Sequence, residues 1–174
     1  MTASPQQVRP AHLGWRLLAL TYDLFPAFAL VVAFGAIVTA LAAVAGQPDL
    51  SATPWAGPLP ATGVWAFAGA YFVLSWARGG QTLGMRPWRL RVVGANGHAA
   101  ALGALFQRYA WATLPAFVGL ELAALVAWPA PGTPFWIAAG LALGGWFWAF
   151  IDREGLPLHD RLSGTRLVRV LSAA

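Results

Sequence analysis

Gly14-Trp15-Arg16-Leu17-Leu18-Ala19-Leu20-Thr21-Tyr22-Asp23-Leu24-Phe25-Pro26-Ala27 opens the first long apolar segment of the chain and carries two opposite charges at its entrance. Arg16 and Asp23 are separated by nearly two turns at about 3.6 residues per turn, so they lie on one side of a helix, about 10 Å apart along its axis. The apolar run from Leu24 to Val44 that follows suffices to cross a bilayer, since about 20 such residues span the roughly 30 Å hydrocarbon core. Asp23 is therefore placed in or just under the membrane. An ionised carboxylate costs on the order of 3 kcal/mol at a spanning helix centre and less near the interface, so this one needs a partner or has a task. Pro26 frees the carbonyl of Tyr22 beside it by displacing a backbone hydrogen bond.

Composition agrees with that stretch. With 59% hydrophobic and 10% charged residues and a mean hydropathy of +0.61, the 174 residues are too apolar for an ordinary soluble domain. The net charge of +5 does not point to nucleic acid, because every basic residue is an arginine beside an apolar segment. The absence of cysteine excludes disulfides, thiolate metal sites and a cysteine nucleophile. A secretory signal is a poor reading of a run far longer than a signal core that contains Asp23 and Pro26.

The expected fold is an all-α membrane protein of four transmembrane helices with a short juxtamembrane hairpin or strand flap. Residues 1–13 read as a flexible tail, 14–170 as the membrane domain with spans at about 17–44, 62–77, 102–128 and 135–151, and 171–174 as a second tail. The proline-rich stretch 46–62 reads as a loop with Trp55 at the far interface, and 129–134 as a tight turn. Gly63, Ala66, Gly69 and Ala70 give the second span a small-residue face for close helix packing. In the connector 79–98, Arg89 and Arg91 alternate with Leu90 and Val92 at strand period and Gly94-Ala95-Asn96-Gly97 signals a turn, a pattern that predicts a surface hairpin. The same alternation returns at Leu167 to Val170, and the two segments are expected side by side, since each alone leaves backbone groups unpaired.

The arginines test the span count. Arg9 and Arg16 precede the first span, Arg78, Arg86, Arg89, Arg91 and Arg108 lie between or at the ends of the second and third, and Arg153, Arg161, Arg166 and Arg169 follow the fourth. All fall on one side of a four-span arrangement, which the positive-inside rule makes cytoplasmic together with both termini.

Arg16 and Asp23 in the first helix, Gly80-Gln81-Thr82-Leu83-Gly84 with Leu90-Arg91-Val92-Val93 after the second, Asp152 after the last, and Leu158-His159-Asp160-Arg161-Leu162-Ser163-Gly164-Thr165 near the end resemble the RDD family of bacterial membrane proteins. The resemblance implies that Arg16, Asp23 and Asp160 are the naming Arg and two Asp, that the chain lies in the bacterial inner membrane, and a role that is unsettled, with transport suggested. Two departures stand out: Pro87 interrupts a connector that is usually a short basic amphipathic helix, and the 129–134 turn separates the third and fourth spans more clearly than in many members.

Residues and resemblance converge on a charge cluster near the cytoplasmic face. Arg108, in the first turns of the third span, sits at a depth similar to Asp23 and is expected to pair with it, while Asp152 and Asp160 can meet Arg16 or connector arginines. Glu121, about 20 Å deeper than Arg108, is the acid nearest the far side. The favoured reading is a membrane scaffold or assembly module pinned by this cluster. Its alternative is a small homo-oligomeric secondary transporter, a cation- or proton-coupled carrier using Asp23 and Glu121 along an ion path. Partners are anionic lipid headgroups and further copies of the chain, with no nucleic acid, cofactor or metal. No enzyme is expected: His12, His98 and His159 lack metal-ligand spacing, and Ser163, His159 and Asp160 sit in a juxtamembrane run rather than in a held triad.

Overall fold

The computed structural model of the protein describes residues 8–46, 58–125 and 133–171. The elements are β1 (Val8–Pro10), α1 (Leu13–Val44), α2 (Pro58–Gly79), β2 (Leu90–Gly94), α3 (Leu102–Leu125), α4 (Thr133–Phe147) with a 3-10 turn at Trp148–Phe150, α5 (Leu158–Ser163) and β3 (Thr165–Val170). Helix dominates, as the sequence predicts, and a small sheet accompanies it.

α1 starts where the His12 imidazole accepts a hydrogen bond from the Gly14 N–H, and it runs without a break through Pro26. Among the described residues it is the helix long and apolar enough, by length and composition, to cross a membrane. Leu17, Leu20, Leu24, Phe25, Phe28, Val32, Ile37 and Leu41 are exposed, and no residue of α1 after Asp23 is buried. An apolar helix without a buried stripe over that length is suited to lipid rather than water. Arg16, Ala19 and Asp23 form its buried edge, at positions spaced to share one face.

α2 starts at Pro58, a turn earlier than expected, and α3 ends in the described residues at Leu125. The small-residue face of α2 does what the sequence predicts at two positions. A Cβ on Gly69 would lie 2.6 Å from the Tyr109 ring of α3, and one on Gly63 would lie 2.3 Å from the Phe34 ring of α1. The expected loop around Trp55, the turn at 129–132 and the tail ends at 1–7 and 172–174 lie outside the described residues.

The sheet is three-stranded and antiparallel in the order β1-β3-β2. Leu90 faces Arg169, Val92 faces Leu167 and Val93 faces Arg166, so the two alternating segments do lie beside each other. Two expectations are corrected. The connector makes its Gly94 to Gly97 turn, with the Gly97 N–H donating to Gly94 and the Gly94 N–H to His98, but the partner of β2 is β3 rather than a second strand of a local hairpin. Residues 8–10, read as tail, form β1, because the second edge of β3 offers free backbone groups: Val8, Arg9 and Pro10 face Val170, Arg169 and Val168. The core lies where sheet meets helices, with Leu90, Val92 and Leu167 buried against Ala19, Met85, Leu105 and Tyr109.

Candidate functional site

Three helix ends meet over the inner face of the sheet. Arg16 comes from the first turn of α1, Arg108 from the second turn of α3, and His159 and Asp160 from the first turn of α5, which Pro157 begins and the left-handed Gly164 (φ 62°) ends. Gly164 suits that backbone because it has no Cβ to clash, and its N–H returns to the Asp160 and Arg161 carbonyls. All four side chains are buried, Asp160 at 1% exposure.

Asp160 is the hub. One carboxylate oxygen accepts from Arg16 at 2.8 Å, and the other accepts from Arg108 and from His159 Nε2 at 3.2 Å. Arg16 Nε donates to the Ala11 carbonyl at 3.1 Å, and Arg108 also donates to Thr165 Oγ1 at 2.9 Å while its guanidinium lies 5.3 Å from the Trp76 ring centre. Ser163 Oγ donates to the His159 carbonyl at 2.6 Å and lies 2.8 Å from Thr165 Oγ1. Burial alone would raise the Asp160 carboxyl, but the Arg108 guanidinium, the His159 hydrogen bond and Arg16 hold it well below the usual carboxylate range. Burial pushes His159 down, against the pull of the Asp160 hydrogen bond, so it is neutral and donates through Nε2. Two arginines and one carboxylate leave the cluster with a net positive charge.

Asp23 has a different environment. It is 4% exposed, and its carboxylate accepts from Thr82 Oγ1 at 2.5 Å, the Gly84 N–H at 2.9 Å and Tyr71 Oη at 3.1 Å. All three donors are neutral. The connector reaches this position because Gly84 lets its backbone press on α1: a Cβ there would lie 2.3 Å from the Ala19 carbonyl oxygen. Between Asp23 and the arginine cluster lies a cavity of about 130 Å³, walled by Ala19, Phe72, Trp76, Met85, Tyr109 and Trp146 and bordered by Arg16, Asp23, Arg108 and His159.

Arg16, Asp23, Arg108 and Asp160, all named from the sequence, thus border or build one site, and the expected meeting of Asp160 with Arg16 is present. The expected pairing of Asp23 with Arg108 is not. Arg16 and Asp23 are about 10 Å apart along α1, and Arg108 comes in at the level of Arg16, where Asp160 already waits. Asp152 stands apart from the cluster: it lies 3.5 Å from Arg161 and accepts from the Glu154 and Leu156 N–H groups, folding the loop before α5. Glu121 makes no ion pair or hydrogen bond among the described residues and joins neither group. Sequence reasoning missed Tyr71, Thr82 and Gly84 as the partners of Asp23 and His159 as a partner of Asp160. The Gly80 to Gly84 motif was the available signal, since a Gly-spaced polar turn marks a backbone that approaches something closely.

No curated protein and no solved structure matches the chain. The model of the RDD family, whose members are membrane proteins, matches residues 10–164 and takes in the helices, the connector, Arg16, Asp23 and Asp160; the chain belongs to the RDD family.

Proposed function

We propose that the protein is a four-span membrane carrier that binds a small cation or a proton at Asp23, with the Arg16–Asp160–Arg108 cluster clamping the cytoplasmic flap to the bundle. The topology draws support from the sheet. Its three strands come from the N-terminal segment, the connector and the C-terminal segment, and an open sheet does not straddle a bilayer. If α1 crosses, α2 must return. The same closure applies to α3 and α4. At about 1.5 Å per residue α2 and α3 exceed 30 Å, and α4 with its 3-10 turn reaches about 28 Å. The arginine pattern supports a cytoplasmic side for the sheet and both termini, by the positive-inside rule.

The observation that carries the carrier reading is that Asp23 has neutral donors only. A carboxylate offers about four lone-pair directions and three are used, leaving one for an ion beside the cavity. Of the bridges that would pin a scaffold, Arg16 to Asp160 is made, whereas Arg108 also belongs to Asp160 and leaves Asp23 without a guanidinium. A pure scaffold retains one favourable observation, the completeness with which the clamp satisfies itself inside the chain. The experiment is ion-gradient-driven flux in proteoliposomes with melting in detergent. Asp23→Asn should stay folded and lose flux, whereas a wild type that moves no cation or proton would leave the scaffold reading.

A further inference from the structure

We infer that the membrane-facing corner of the sheet holds the phosphodiester headgroup of an anionic phospholipid, between Arg9 and Arg169 and against Trp15 and Trp88. Arg9 and Arg169 are direct partners in the β1–β3 register, so their side chains leave the same face of the sheet with Cβ atoms about 5 Å apart. Like charges placed opposite each other destabilise a sheet unless something lies between them. Neither arginine enters an ion pair among the described residues: Asp160, Asp152 and Glu154 are engaged by Arg16, Arg108, Arg161 and Arg166.

The donors at this corner are also left over. Arg169 lies over the Trp15 ring at 4.2 Å, yet its Nε is buried with no hydrogen-bond partner. Trp88, whose ring centre is 5.2 Å from that of Trp15, has a buried Nε1 in the same condition. A buried donor without an acceptor costs about 1–3 kcal/mol, so two of them beside the Trp15 indole, next to two guanidiniums, suit an anionic acceptor. Tyr22 continues the aromatic cluster, edge-on to Trp88 at 5.8 Å. Trp and Tyr beside arginine at the end of a spanning helix sit at headgroup depth, which favours a lipid phosphate over a free one. Arg9 and Arg169 fall outside residues 10–164, so the site is a feature of this chain beyond its family match.

The inference rests on the membrane placement proposed above and not on any ion at Asp23. Its test is binding of phosphatidylglycerol to the detergent-solubilised full chain, followed by native mass spectrometry, with phosphatidylcholine and inorganic phosphate as comparison probes. Phosphatidylglycerol should be retained in preference to phosphatidylcholine. The Arg9→Gln/Arg169→Gln double variant should weaken it on the order of tenfold or more, while Arg153→Gln, an exposed arginine elsewhere, should leave it unchanged. Trp88→Phe keeps an aromatic ring and removes the donor, so a several-fold loss is expected even if the double variant folds poorly. Asp23→Asn should bind the lipid as wild type does, which separates this outcome from the carrier test. Equal retention of both lipids, undiminished binding in the double variant and in Trp88→Phe, or occupation by inorganic phosphate at the same affinity would overturn the lipid site.

Discussion

Asp160 and Asp23 are both buried carboxylates near one face of the protein, and their partners assign them different work. Asp160 answers two guanidiniums, so Asp160→Asn strands both. Breaking such a buried pair typically costs about 3–5 kcal/mol, and Asp160→Asn combined with Arg108→Gln should recover part of it. Asp23→Asn removes an acceptor from three neutral donors and should cost only about 1–3 kcal/mol. Melting temperatures in detergent give the order, and an Asp23→Asn protein less stable than Asp160→Asn would reverse the assignment. The same neighbours set the acid response. His159 is pushed down by burial, so the unfolded chain takes up a proton near pH 6.5 that the folded protein refuses, and stability present above that pH falls as the pH drops below it. Asp160 is held low, so its contribution is present above about pH 4, its unfolded value, and is lost only below. Melting should therefore decline as the pH falls below about 6.5 in wild type, and His159→Gln, which can still donate to Asp160, should flatten that decline and leave the steeper loss at lower pH. An unchanged slope in His159→Gln would place the titration elsewhere.

At the scale of elements, close backbone approach decides what can be exchanged. Gly84 presses the connector against α1 and supplies a donor to Asp23, so Gly84→Ala must displace either the connector or the helix. A loss of about 1–3 kcal/mol is expected, as for overpacking elsewhere, with faster hydrogen exchange at Thr82 to Met85. Gly103→Ala in the first turn of α3 meets nothing within 4 Å and should be neutral or slightly stabilising. Similar exchange rates and melting in both variants would mean that the Gly84 contact is not held. β2 and β3 were legible as strands because arginine alternates with apolar residues in both, and backbone groups at an interface need partners. β1 was not, because three residues ending in proline carry no period, and only the open edge of β3 gives them a reason to extend. The helices were legible to within a turn where described, since apolar length marks them and arginine or glycine ends them.

Across the whole molecule, what the sequence could not supply was the pairing of charges. Arg16 and Asp160 are 144 residues apart, and which carboxylate an arginine meets depends on how deeply each helix is set, a tertiary quantity. That the N-terminal segment, the connector and the C-terminal segment share one side is a condition that the arginine pattern and the sheet set from different physics. Charge keeps the arginines on the side where insertion leaves them, and hydrogen bonding keeps three strands from far-apart segments in one compartment. Single cysteines in this cysteine-free chain test both at once. At Ser51, in the segment between α1 and α2, an impermeant thiol reagent should react from outside in intact cells. At Asn96, in the turn after β2, and at Ser172, beyond β3, it should react only after permeabilisation. Because β2 and β3 share a sheet, positions 96 and 172 must behave alike whatever the number of spans. Exposure of both from outside would invert the orientation while keeping the fold. Labelling of one and protection of the other in intact cells would separate β2 from β3 across the bilayer, and neither the four-span arrangement nor the sheet would survive that result.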